Sequence, residues 1–260
     1  MAEIITSIQN PKIKRLTALL KKSAERREAG LFVVEGRREL GHCIEAGYEI
    51  DTLFCCPELM GTPLDERVAA HRYDVTPAIY EKIAYRGSTE GVMAEVKVRR
   101  LSMEDIDLGE HPLLMVVESV EKPGNLGAIL RSADAAGATA VVVCDALTDL
   151  YNPNLIRSSL GAVFSVPCVT CSSEECISFL KRHGIRILTA QLQDSHLYYD
   201  TDMRRGTALV MGTESTGLTS LWRNAADAHI RIPMLGRLDS LNVSVSAAIL
   251  LFEAVRQRCE

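Results

Sequence analysis

The sequence predicts an α/β protein in two parts: a small N-terminal α/β sandwich, then a domain built on a mostly parallel sheet. Three observations carry this. Short, mostly apolar runs recur at 113–117, 140–144 and 207–211, each followed by a polar or glycine-bearing loop and a segment of helical periodicity. Unbroken apolar strands separated by helices belong to a parallel sheet covered on both faces. Before them, 31–98 alternates shorter strands and helices, and the acidic stretch 101–112, ending in Gly-Glu-His-Pro, reads as a linker between the parts. The domains expected are therefore 1–100 and 113–260.

From the N-terminus, Pro11 at a first helical position and the stripe Ile13, Leu16 and Leu19 or Leu20 predict one helix from 11 to about 28. Strands follow at 31–34, 50–55, 71–75 and 92–98, with helices at 37–46, 64–70 and 77–85. In the second part, Leu126, Ile129, Leu130 and Ala133 share a helical face that Gly137 ends. Strands are expected at 113–117, 140–144, 164–169, 185–190, 207–211 and 228–232. Helices are expected at 126–136, 154–160, 174–183, near 221, and in a long final segment to about 259. Ligands of such a sheet sit beyond the carboxyl ends of its strands.

Composition narrows the classes of function. The chain has 260 residues, 47% hydrophobic and 24% charged, enough to bury a true core. Its start shows no signal-peptide pattern and its longest apolar run, 247–252, is too short for a membrane span, so a cytoplasmic protein is expected. The eight cysteines are scattered, which suits reduced thiols. Cys168-x-x-Cys171, with Cys176 near, lacks the second Cys or His pair of a zinc site, so these read as buried thiols and no metal is expected. The net charge of −5 hides a basic start: 1–38 carries nine Lys or Arg against four acids, +5, leaving −10 for the rest. Lys12, Lys14, Arg15, Arg37 and Arg38 are thus candidates to neutralise the phosphates of a polynucleotide, the bland alternative being a solvated amphipathic helix.

Three loops after predicted strands carry the chemistry. The first is Glu121-Lys-Pro-Gly-Asn-Leu-Gly-Ala-Ile-Leu-Arg131, the second Gly212-Thr-Glu-Ser-Thr-Gly217, the third Ile232-Pro-Met-Leu-Gly leading to Ser240-Leu-Asn-Val-Ser244. Gly124-x-x-Gly127 lacks the full glycine fingerprint of a dinucleotide site. Taken singly, Asn125 is a helix N-cap and Arg131 a surface arginine; the case for function is their occurrence together.

Together these motifs resemble the SpoU (TrmH) branch of the SPOUT class of RNA methyltransferases, over most of 113–256. Residues 154–164 fit as well, and Asn10-Pro-Lys-Ile-Lys with Val34-Glu-Gly-Arg is similar to the family's small substrate-binding domain. The resemblance implies a trefoil knot in the C-terminal domain, S-adenosylmethionine as cofactor, a ribose 2′-hydroxyl of RNA as acceptor, and a homodimer. It implies Asn125, Arg131, Glu214 and Asn242 as the catalytic set, with Arg131 foremost. It places the cofactor against Gly212, Ile232, Met234, Leu241 and Ser244. Ribosomal RNA is the expected substrate. Transfer RNA, or an RNA-binding module that kept the fold without catalysis, are the alternatives.

Overall fold

In the computed structural model, which describes residues 3–62, 64–85, 90–213 and 216–259, the chain forms two compact units. The first comprises 1–99 with the later segment 149–165; the second comprises 100–148 and 166–260.

The first unit begins with strand β1 (Glu3–Ile5) and helix α1 (Pro11–Lys21), which the Asn10 side chain caps by accepting from Lys12 N–H at 2.9 Å. The helix expected to run to about 28 breaks at Lys22, whose backbone is extended, and restarts as α2 (Ser23–Ala29). Arg26 explains the break. It is buried, donates to the carbonyls of Leu19 and Leu20 at the end of α1, and pairs with Asp149 at 2.6 Å. A guanidinium on the last carbonyls of a helix satisfies groups that continuation would have used.

Then come β2 (Leu31–Glu35), α3 (Arg37–Glu45), β3 (Ile50–Cys55), α4 (Pro57–Met60), β4 (Ala69–Val75), α5 (Pro77–Ile83) and β5 (Val92–Lys97). The sheet order is β1-β4-β3-β5-β2, with β5 antiparallel to β3 and β2 and the other pairs parallel. The helix expected at 64–70 is instead a single 3-10 turn, Glu66–Val68, because Ala69 onward is claimed by pairing with β3. Local propensity is a weak prior where sheet pairing competes.

The second unit opens with the stretch expected to be a linker. It is packed rather than free: Met103 and Ile106 are buried in the unit's core, and Ser102 and Asp105 cap a 3-10 turn reciprocally. Strand β6 (Leu113–Glu118), helix α6 (Pro123–Ala135) and strand β7 (Ala140–Cys144) follow. The chain then contributes α7 (Pro153–Ser158) and α8 (Ala162–Ser165) to the first unit, where Tyr151 and Phe164 stack on Phe32 at 4.1 and 5.8 Å. That aromatic contact is why 149–165 departs from the expected boundary at 113, and why the strand expected at 164–169 forms later, as β8 (Cys168–Cys171).

The second unit continues with α9 (Ser173–Arg182), β9 (Arg186–Ala190), β10 (His196–Leu197), β11 (Thr207–Met211), α10 (Ser220–Ala225), β12 (Ala228–Arg231) and α11 (Val243–Cys259). Its seven strands, ordered β10-β12-β9-β11-β6-β7-β8, are all parallel. The core residues of β6, β7 and β11 are buried along their whole length, as a sheet covered on both faces requires. Helix α11 packs along α6 and against β11 and β6. Its far end is anchored by Arg258, which donates to the carbonyls of His111, Pro112, Met203 and Arg205. Among the described residues no helix is long and apolar enough to cross a membrane.

Candidate functional site

Because β11 and β6 are neighbours, the loops leaving their carboxyl ends lie side by side, and the start of α11 is brought against the start of α6. Between them is a cleft of about 140 Å³ lined by Val120, Glu121, Lys122, Asn125, Gly212, Thr213 and Val243. This is the edge where a parallel sheet holds its ligands.

Asn242 joins two of the motifs. Its side-chain oxygen accepts from the backbone N–H of Ser244 at 3.0 Å and from the Ser244 hydroxyl at 2.6 Å, capping α11. Its amide nitrogen donates to Asn125 Oδ1 at 3.3 Å. One asparagine thus starts a helix and fixes the side chain of another motif 117 residues away. Both oxygen and nitrogen are engaged, which fixes the amide's orientation.

The loop of the second motif is a tight hairpin. Thr213 and Gly217 exchange backbone hydrogen bonds at 3.3 and 3.1 Å, and the Thr213 hydroxyl accepts from Thr216 N–H at 3.1 Å. Gly212 is required by the hairpin itself: a Cβ there would lie 2.2 Å from the carbonyl carbon of Gly217. The sequence suggested that Gly212 leaves room for a ligand; in the structure its hydrogen faces its own chain's backbone first, while the residue still borders the cleft. Glu214 lies outside the described residues.

The remaining candidates divide. Ile232 and Met234 are half-buried on the loop after β12, Ser244 is half-buried, and Leu241 is exposed. Arg131 is exposed on α6, six residues and so about 9 Å along the helix from Asn125. Sequence reasoning missed Glu118. This buried acid at the end of β6 accepts from Thr219 N–H at 2.9 Å and from the Thr219 hydroxyl at 2.7 Å, tying the exit of the hairpin to the strand beside it. A lone acid closing the apolar run Leu-Leu-Met-Val-Val-Glu was the available signal.

Within the first unit most of the proposed RNA-facing cations already have partners. Lys12 pairs with Glu3 at 3.0 Å and lies over the Tyr73 ring. Arg15 meets Glu95 and, at 3.4 Å, Asp51. Arg37 donates to the carbonyls of Met60 and Thr62, at 3.0 and 2.6 Å, and Arg38 to Glu39 at 2.5 Å. Lys14 is exposed.

Burial pushes the Glu95 carboxyl up to about 7 despite the opposing pull of the Arg15 guanidinium. Between its usual 4.5 and about 7 the folded chain keeps a proton that the unfolded chain has released, so stability falls as pH rises through that window. Thermal unfolding is expected to show this decline, and Glu95→Gln to flatten it. An unflattened profile in the variant would place the pH dependence elsewhere.

With this geometry in hand, likeness to known proteins is decisive. Residues 112–252 match the SpoU rRNA Methylase family. The chain belongs to that family. Residues 10–94 of this SpoU protein match the MRM3-like substrate binding domain. A 23S rRNA (uridine(2479)-2′-O)-methyltransferase of Streptomyces viridochromogenes is 31% identical over 274 residues, spanning 99% of this chain and 93% of that protein. The 23S rRNA (guanosine-2′-O-)-methyltransferase RlmB of Vibrio parahaemolyticus is 39% identical over 181 residues, 67% of this chain and 73% of its own. Among solved structures, an AdoMet-bound rRNA methyltransferase from Sinorhizobium meliloti matches with a TM-score of 0.89 at 30% identity over 98% of both chains.

The Sinorhizobium meliloti structure holds AdoMet, and the cleft here lies where such a group would meet the first and second motifs. Val120 and Val243 give the cleft two apolar contacts, Glu121, Lys122, Asn125 and Thr213 make most of the rest of its lining polar, and half-buried Ile232 and Met234 stand on the loop after β12.

Proposed function

We propose that this SpoU protein uses S-adenosylmethionine to methylate a ribose 2′-hydroxyl in ribosomal RNA. The meeting of Asn125 and Asn242 beside the cleft at Gly212 is the observation that carries the reading, since it unites three motifs from distant parts of the chain. The full-length likeness to a 23S rRNA 2′-O-methyltransferase favours ribosomal over transfer RNA.

When bound, the cofactor supplies a methyl group already activated on a sulfonium. The chain's residues must hold the ribose oxygen in line with it and ease the loss of its proton. A guanidinium is a donor and not a base, so the role of Arg131 is that of a clamp on the target phosphate that stabilises charge developing on the ribose oxygen. Asn242 positions Asn125, and Asn125 orients the ribose. Glu214 holds the basic groups of the site. Ile232, Met234, Leu241 and Ser244 flank the cofactor, and Gly212 shapes the hairpin against it. The protein works in the cytoplasm.

The active form is a homodimer. Helix α11 buries Ala247, Leu250, Leu251 and Ala254 within its own unit, yet Val245 and Phe252 remain about half exposed, and Leu235 and Leu238 on the loop that precedes it are 97% and 79% exposed. A helix apolar on both sides has a second surface to cover. Light scattering of an active preparation is expected to give a dimer at micromolar concentration; a monomer would refute this.

RNA affinity draws partly on the basic N-terminal segment. Replacing Lys12, Lys14 and Arg15 by Ala flattens the log–log salt slope by up to about 2 if all three reach phosphate. The ion pairs of Lys12 and Arg15 favour the smaller value, about 0.7 for Lys14 alone. An unchanged slope would leave α1 a plain solvated helix.

Mapping ribose methylation in RNA from a strain lacking the gene tests the function as a whole. One ribosomal position is expected to lose its methyl group and regain it on complementation. Loss confined to transfer RNA would overturn the choice of substrate.

A further inference from the structure

Away from the cleft, three cysteines from separate segments converge. Cys144 ends β7 and Cys171 ends β8, and the parallel register sets these two directly side by side. Cys176 reaches them from the first turn of α9. The three sulfurs all lie within 4.8 Å of one another, with Cys144 and Cys176 fully buried and Cys171 half-buried. Cys168, the partner in the Cys-x-x-Cys spacing, is not one of the group.

From this geometry we infer that Cys144, Cys171 and Cys176 form a three-thiolate site for a single thiophilic closed-shell metal ion, Zn(II) or Cu(I). An ion centred in a triangle of sulfurs with bonds of about 2.3 Å sets the sulfurs about 4 Å apart. That separation lies inside the 4.8 Å within which all three sulfurs fall. Soft thiolates select these ions over hard ones. The half-buried Cys171 gives an entry path and leaves room for a water as fourth ligand to Zn(II).

The surroundings are rigid in the way such a site needs. Ser172 and Glu175 cap α9 reciprocally, fixing where Cys176 points. Trp222 Nε1 donates to Ser173 Oγ at 2.9 Å, and Ser173 Oγ donates to Asp145 Oδ2 at 2.5 Å. This chain locks the residue after Cys144 to the segment between Cys171 and Cys176. Ligand-bearing segments held by outer hydrogen bonds are the mark of a prepared site. The ion would staple β7, β8 and α9 at the edge of the sheet.

The test uses full-length protein, stripped of metal and kept reduced with a phosphine. Titration with Cd(II), a spectroscopic stand-in for Zn(II), is expected to give a thiolate-to-metal absorption band that saturates at one equivalent. Zn(II) and Cu(I), added in separate arms, are each read by displacement of Cd(II), and the tighter of the two is the natural class. Cys171→Ser, at the half-exposed position least liable to disturb folding, is expected to weaken binding by more than about a hundredfold, beyond the loss typical of outer-shell changes. Cys168→Ser keeps it. Zn(II) also raises the unfolding temperature of the parent but not of Cys171→Ser. A band that survives Cys171→Ser, or binding no tighter in the parent than in that variant, overturns the site.

Discussion

Arg131→Ala is expected to lower the single-turnover rate of methyl transfer by about a hundredfold to a thousandfold, the usual loss for one preorganised electrostatic contact. The affinity for S-adenosylmethionine should stay near that of the parent. Arg131 is exposed on α6 and does not line the cleft at Gly212, so its removal leaves the cofactor's surroundings intact. Its exposure also means that the fold should tolerate the change. Arg131→Lys is expected to recover little, because a point charge cannot present the paired donors of a guanidinium to phosphate. The measurement is transfer of labelled methyl with enzyme and RNA both saturating. A rate near the parent's in Arg131→Ala would return this residue to the plain surface role that its exposure alone suggests.

Gly212→Ala is expected to damage both the hairpin and the cofactor site. The added Cβ would meet the Gly217 carbonyl carbon at 2.2 Å, its oxygen at 2.4 Å and the Leu218 nitrogen at 2.4 Å. These are backbone atoms, unable to rotate away as a side chain could. Strain of this kind costs about 1–3 kcal/mol. A hairpin displaced by about 1 Å beside the reacting groups costs on the order of a hundredfold in rate. Gly217→Ala is the informative control. Gly217 has φ +67, but a Cβ there meets only the end of Arg223 at 3.8 Å. Its cost is confined to left-handed backbone strain, about 1–2 kcal/mol. Calorimetry of cofactor binding, with thermal unfolding alongside, separates the two. Parent-like affinity in a folded Gly212→Ala would contradict the close packing assigned to that hairpin.

Much of this was legible in the sequence, and what was not has physical causes. The apolar strands β6, β7 and β11 are buried over their length, so period and composition suffice to find them. The loops that carry Asn125, Gly212 and Asn242 could be selected because each follows a strand, and the sheet brings such loops to one edge; the residues within them were singled out by the resemblance to the SpoU family. The Asn242–Asn125 hydrogen bond could not be read, since it depends on the strand order and on α11 packing along α6. The break at Lys22 was hidden because Arg26, which causes it, takes its partner Asp149 from a segment 123 residues on. The convergence of Cys144 with Cys171 and Cys176 could not be read from spacing, since Cys144 lies on a different strand. Local pattern encodes which face of an element is buried; it does not encode which distant element covers it.

The most direct measurement of the central claim is the chemical position of a transferred methyl group. Purified protein, S-adenosylmethionine carrying a labelled methyl and unmodified ribosomal RNA are incubated, and the RNA is then hydrolysed in alkali. Alkaline cleavage requires a free ribose 2′-hydroxyl as the attacking group, so a nucleotide methylated there resists cleavage on its 3′ side. The label is expected in an alkali-resistant dinucleotide. Label recovered in mononucleotides would mean methylation of a base, and would contradict the reading of this cleft as a ribose 2′-O-methyltransferase site.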